Sequence, residues 1–221
     1  MKMKSERQAL VEYGKKLHDS GLTKGTGGNL SVYNPELNLM AITPSGIDYH
    51  KMREQDIVLI DVETGDIAEG DKPPSSERDM HRILYKYRDD IKAVMHAHST
   101  YAATLSCMRW DLPAVHYLVA HAGIDVRCAE YATYGTVKLA KNAFKAMENR
   151  KACLLANHGI LAAGGDLADA YNVIEEIEFC CQLYCNAKAM GEPAILDKEE
   201  MTMMLDRFAD YGSTIEEHEE I

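Results

Sequence analysis

The sequence predicts a layered protein of the α/β or α+β class, a sheet flanked by helices, on three observations. Short runs with period-two alternation recur along the chain, and longer stretches with apolar residues every third or fourth position fall between them. No Pro/Ser/Gly-rich linker divides the 221 residues. The expectation is therefore one domain over residues 1–221, with no internal repeat.

Taken in order, Leu10, Tyr13, Gly14 and Leu17 lie at helical spacing, and Gly21 stops that opening amphipathic helix. NLSVY, LMAIT and IVLID follow as strands, separated by Asn-Pro and Ser-Gly turns. PPSSERDMHRILYKYRDD announces a helix with Ser75 or Ser76 as N-cap and Met80, Ile83, Leu84 and Tyr87 on one apolar face. IKAVM, after a charged turn, is a buried strand, and TYAATLSC is a short helix. The stretch LPAVHYLVAHAGIDVRCAEYATYG is irregular. Thereafter come a helix from Thr136 to about Asn149, a strand ending at His158 with GILAAG as its partner, a long helix from Leu167 to Met190, and a final helix in DKEEMTMMLDRFADYG.

Composition excludes several classes of function. Lys and Arg number 24 against 35 Asp and Glu, a net charge of −11, so no basic stripe is available to displace counterions and nucleic-acid binding is disfavoured. The N-terminal segment lacks a signal-peptide apolar core, and no apolar run approaches ~18 residues, so a soluble cytoplasmic protein with no membrane partner is expected. The six cysteines have no framework spacing and suit a reducing compartment. Cys180, Cys181 and Cys185 fall in a helical pattern as small apolar residues; Cys181 and Cys185 share a face, but no second ligand pair accompanies them.

The chemistry-bearing pattern is His96-Ala-His98, followed sixty residues later by His158 directly before Gly159. Side chains two apart on a strand project to one face, so His96 and His98 can converge on one ion; on a helix they would diverge. His158 sits where a strand end or tight turn can aim it at the same point. Three neutral imidazoles leave a Zn²⁺ coordination position open, the arrangement of a Lewis acid. The remaining histidines, including His81, share no spacing and are expected at the surface or behind the site.

A second pattern suits a phosphate. GLTKGTGGNLS, TPSG at Thr43 to Gly46 and PSSE at Pro74 to Glu77 place hydroxyls and backbone N–H groups near turns and a helix start, where a dianion is held without any basic residue. The first is neither a Walker A loop nor a dinucleotide fingerprint, which disfavours NAD. Glu77 links the patterns, because a carboxylate one residue beyond the serines can face a nearby metal and move a proton.

With GLTKGTGGNLSV, ITPSGI, PSSE, HAH, PAVHY, YATYGT, NHG and ADYGSTIEE in this order, nearly the whole chain resembles the class II (zinc-dependent) aldolases of the L-fuculose-1-phosphate aldolase group. The resemblance implies a three-layer fold around a mostly antiparallel sheet, a homotetramer, and an active site at each subunit interface. It implies Zn²⁺ held by His96, His98 and His158, with Glu77 as a further ligand and the catalytic carboxylate. Asn29, Ser45, Gly46, Ser75 and Ser76 match the phosphate pocket, and Tyr117 and Tyr211 match tyrosines supplied by a neighbouring subunit. The implied reaction is retro-aldol cleavage of a ketose 1-phosphate, foremost L-fuculose 1-phosphate, to dihydroxyacetone phosphate and a short aldehyde such as L-lactaldehyde. Glu77 would protonate the carbanion carbon and Tyr117 take the C4 hydroxyl proton.

Tyr134 stands where the group usually has Phe, and His121 and Arg127 replace small or neutral residues; these departures bear on the aldehyde. A salvage aldolase for 5-deoxypentulose phosphates shares the same motifs. L-ribulose-5-phosphate 4-epimerases usually carry Asp at the Glu77 position, and a methylthioribulose 1-phosphate dehydratase is a further relative. The adducin head resembles the fold as an interaction module, which gives it no reason to keep all of HAH, NHG and Glu77. A zinc hydrolase leaves the phosphate-like clusters unexplained.

Overall fold

The alternating runs assemble into one eight-stranded sheet in the computed structural model, which describes residues 1–209. The strands are β1 (Asn29–Asn34), β2 (Leu39–Ile42), β3 (Val58–Asp61), β4 (Ile67–Glu69), β5 (Ala93–Ala97), β6 (Cys128–Ala129), β7 (Ala152–Leu155) and β8 (Gly159–Gly164). Their order is β4-β3-β2-β1-β5-β8-β7-β6. Every neighbouring pair is antiparallel except β6–β7.

Among the described residues, six α-helices cover this sheet: α1 (Lys4–Asp19), α2 (Arg78–Tyr87), α3 (Thr100–Met108), α4 (Val137–Ala146), α5 (Leu167–Met190) and α6 (Lys198–Ala209). Strand alternation divides the apolar residues between two cores. Ala93, Met95 and Ala97 of β5 pack with Leu10 and Leu17 of α1, Leu105 of α3 and Ile174 of α5. Val94, from the same strand, packs with Met80 and Leu84 of α2 and Leu139 of α4. The sheet therefore lies between two helical layers, as the mostly antiparallel three-layer expectation requires. No helix among the described residues is long and apolar enough to cross a membrane.

Several boundaries differ from expectation. Neither Ser75 nor Ser76 caps α2, which begins at Arg78 after Glu77. Ser75 is drawn instead towards Thr43, whose carbonyl accepts its N–H at 3.2 Å beside a bridge between Pro44 and Pro74. The buried face of α2 is Met80, His81, Leu84 and Tyr85, while Tyr87 is exposed. The α4 helix ends at Ala146 rather than near Asn149, and β7 ends at Leu155, so Ala156 to His158 form the turn into β8. β4 and β6 were not anticipated: one is a short exposed edge and the other only two residues long. The long helix follows expectation, opened by the Asp166 side chain accepting from Asp169 N–H and closed at Gly191.

Candidate active site

The register of β1 against β5 sets Asn29 directly opposite His96. Both side chains face α2, because Val94 on the same face of β5 belongs to the core beneath that helix. His98 follows one residue beyond β5, and His158 enters from the β7–β8 turn, where Asn157 adopts φ 54°. That turn is tied to α3 by Asn157 N–H donating to the Ser106 carbonyl at 2.9 Å. Glu77 comes from the residue preceding α2.

These elements bring the three histidines together, with one ring nitrogen of each within 4.8 Å of the others. His96 Nδ1–H donates to the Ile160 carbonyl at 2.9 Å, which turns its Nε2 lone pair inward, 3.0 Å from His98 Nε2. The Glu77 carboxylate closes the cluster, with Oε2 3.3 Å from His96 Nε2 and Oε1 3.4 Å from His158 Nε2. Burial, reinforced by the neighbouring rings of His158 and His98, holds His96 well below the ordinary imidazole pKa. Burial and His158 lower His98 as well, against a smaller opposing effect of Glu77. Neutral imidazoles are the ligating form.

The residues fit a divalent metal on two counts. The donors are three imidazole nitrogens and a carboxylate, a set that suits Zn²⁺. Glu77 Oε1 is buried and accepts no hydrogen bond, an arrangement that is costly unless a cation or a proton meets it.

The predicted phosphate clusters converge beside this group. Leu30 N–H donates to Thr43 Oγ1 at 3.1 Å, and Ser75 N–H to the Thr43 carbonyl at 3.2 Å, so the GLTKGTGGNLS, TPSG and PSSE segments are laced together. Ser45, Gly46 and Ser76 are exposed, whereas Asn29 and Ser75 are buried. The glycines also have a packing role: a Cβ on Gly27 would lie 2.9 Å from His98 Nδ1, and one on Gly28 2.5 Å from the His96 carbonyl oxygen. A Cβ on Gly159 would overlap the Ala97 carbonyl oxygen.

A cleft of ≈ 320 Å³ opens onto Glu77, His98 and His158, lined also by Tyr131, Tyr134 and Asn157. Tyr131 was not singled out by the sequence, although its place in YATYG brings it to the same mouth as Tyr134. Tyr117 is not brought to this cleft within one chain. It lines a separate cleft of ≈ 800 Å³ together with His121, Arg150 and Phe208. Arg127 donates to the Ala146 and Glu148 carbonyls at the end of α4. Tyr211 lies outside the described residues.

Residues 8–185 match the family model of the Class II Aldolase and Adducin N-terminal domain, and the chain belongs to that family. It is 49% identical over 212 residues, covering 96% of this chain and 99% of the relative, to a 5-deoxy-D-ribulose 1-phosphate aldolase of Bacillus thuringiensis serovar kurstaki. It is 41% identical over 199 residues to an L-fuculose phosphate aldolase of Escherichia coli K12, covering 89% and 91% of the two chains. A solved structure described as an L-fuculose 1-phosphate aldolase superposes with a TM-score of 0.93 at 56% identity, over 95% of this chain and 98% of that one. The protein is thus a class II aldolase, a lyase of a metal-dependent family for which a sugar phosphate is the consistent substrate.

Proposed function

We propose that this aldolase is zinc-dependent and cleaves the C3–C4 bond of a deoxyketose 1-phosphate to dihydroxyacetone phosphate and a short aldehyde. The observation that carries the reading is the buried Glu77 carboxylate, bracketed by His96 and His158 with one oxygen unpartnered. His96, His98, His158 and, in the resting state, Glu77 would hold Zn²⁺, which when bound supplies Lewis-acid stabilisation of negative charge developing on the substrate oxygens.

The chain's own groups then divide the work. Asn29, Ser45, Gly46, Ser75 and Ser76 bind the phosphate, which anchors C1 and places C3 beside Glu77. Tyr117, delivered by a neighbouring copy of the chain, takes the C4 hydroxyl proton. The C3–C4 electron pair passes to C3 as the aldehyde departs, and Glu77 returns a proton to C3. Exposure of Tyr117 away from the histidine cleft supports a site completed between subunits, and hence the homotetramer. Tyr211 would contribute similarly. A cytoplasmic location accords with the six free cysteines.

L-Fuculose 1-phosphate yields L-lactaldehyde in this reaction, and a 5-deoxypentulose 1-phosphate yields acetaldehyde. The second substrate is supported by the 49% identity with the 5-deoxy-D-ribulose 1-phosphate aldolase. Tyr131 and Tyr134, exposed residues that line the cleft, would distinguish the two fragments. The test is condensation of dihydroxyacetone phosphate with a panel of small aldehydes by the zinc-loaded protein, alongside its mass in solution. Turnover with lactaldehyde or acetaldehyde and a particle about four times the 24.7 kDa chain are expected. Absence of carbon–carbon bond formation with every aldehyde would end the proposal.

A further inference from the structure

Behind Glu77 runs a chain of buried polar groups that begins on α2 and passes through β1. Tyr85 OH lies 2.7 Å from Ser31 Oγ, which lies 2.7 Å from His81 Nδ1. His81 Nε2 lies 2.6 Å from Asn29 Oδ1, and Asn29 Nδ2 donates to Glu77 Oε2 at 3.0 Å. His81 and Tyr85 stand one helical turn apart on the buried face of α2, while Ser31 and Asn29 are alternate residues of β1 on the face beneath it.

Charge at one end fixes the direction of the bonds as far as Ser31, and Tyr85 OH then donates to Ser31 Oγ or to the Ser31 carbonyl at 3.0 Å. Glu77 as a carboxylate only accepts, so Asn29 must present its amide N–H and turn its carbonyl oxygen to His81. His81 must therefore donate from Nε2 and accept at Nδ1, and the Ser31 hydroxyl supplies that second bond. The opposite tautomer would call for a flipped Asn29, setting its oxygen 3.0 Å from a carboxylate oxygen. Burial lowers the His81 pKa to about 3, with the nearby His96 acting in the same direction and Glu77 against it, so the ring is neutral under ordinary conditions.

We infer that His81 is a positioning residue for the aldol chemistry: held as the neutral Nε2–H tautomer, it locks the Asn29 amide onto Glu77 Oε2 and reserves Oε1 as the oxygen that carries the proton. The inference rests on the proposed role of Glu77. It explains why the two oxygens of one buried carboxylate differ, Oε2 having an amide donor and Oε1 having none. It also gives Asn29 two duties, since its second amide hydrogen remains for the phosphate end of the substrate.

The test compares zinc-loaded wild type with His81→Leu, which removes the donor, and His81→Gln, whose amide nitrogen can occupy the Nε2 position. Misplacement of a reacting group by about 1 Å costs on the order of 10²-fold in rate. His81→Leu is accordingly expected to lower kcat by about 10²-fold, with KM and zinc stoichiometry retained, and His81→Gln to recover to within about tenfold of wild type. Wild-type kcat in His81→Leu, or a Gln variant no better than Leu, would overturn the inference, because a space-filling role predicts no such rescue. Nitrogen-15 spectra of imidazole-labelled wild type provide a second readout at about pH 5.5, where an ordinary imidazole of pKa ~6.5 is mostly protonated. A neutral Nε2–H signal for His81 supports the chain, and an Nδ1–H or imidazolium signal overturns it. An enzyme that shows the expected tautomer but cleaves no ketose phosphate would contradict the proposed function and leave the hydrogen-bond chain standing.

Discussion

Replacing Gly28 with Ala tests whether the glycine loop is built to let β1 approach β5, the strand that carries His96. Gly28 has φ +74°, where an L-residue is strained by about 1–2 kcal/mol. Its new Cβ would also stand 2.5 Å from the His96 carbonyl oxygen, a backbone atom that cannot swing aside, and relieving that overlap adds roughly 1–3 kcal/mol. Together they predict a loss of about 2–5 kcal/mol and, at ~2–4 °C per kcal/mol for a chain of this size, a fall in Tm of roughly 4–20 °C. Gly21→Ala is the control, with φ +76° and no atom within 4 Å of the added Cβ, so strain alone should lower Tm by about 2–8 °C. The assay is thermal unfolding of both metal-free variants by circular dichroism, paired with aldol turnover. Displacement of Asn29 or His96 by about 1 Å should cut turnover of Gly28→Ala by on the order of 10²-fold. Equal Tm for the two variants, with wild-type turnover in Gly28→Ala, would refute the packing argument.

Acidification should destabilise the metal-free protein through His81. Its folded pKa of about 3 lies below the ordinary ~6.5, so the unfolded chain takes up the proton first and stability present above pH ~6.5 is lost progressively down to about pH 3. At pH 5 the His81 share of that loss is about 2 kcal/mol, measurable as a lower urea midpoint than at pH 7; His81→Gln should make the dependence shallower by that share, the lowered His96 and His98 supplying the rest. Glu178→Ala should weaken the start of α3, because that carboxylate accepts from Ser99 Oγ at 2.6 Å and from the Tyr101 and Ala102 N–H groups, each at 2.8 Å. About 2–4 kcal/mol of unfolding free energy should go with it. Chelator competition should also show weaker zinc binding, since His98 immediately precedes Ser99.

Strand periodicity makes the candidate metal-ligand pair visible, because residues two apart on an extended chain share a face, and His96 and His98 do converge although His98 lies one residue past β5. Helix bounds are legible where a side-chain cap and a glycine bracket a long apolar pattern, as Asp166 and Gly191 do for α5. The start of α2 is not, because the Ser75 backbone is claimed by Thr43 from another part of the chain, a competition that local sequence cannot reveal. The partners of His81 are not legible for a related reason. The i, i+4 pair His81 and Tyr85 lies beside the Met80 and Leu84 stripe, and nothing in helical spacing alone says that β1 answers it with Ser31 and Asn29. The role proposed for Tyr117 is likewise beyond reach of one chain's pattern, since under that proposal it depends on how copies meet.

Metal dependence of the reaction is the most direct test of the whole account. The purified protein, stripped with a chelator and reloaded with one equivalent of Zn²⁺, should lose and then regain dihydroxyacetone phosphate-forming cleavage in step with bound metal, and His96→Ala should neither hold zinc nor cleave. Undiminished cleavage by the metal-free protein or by His96→Ala would contradict it.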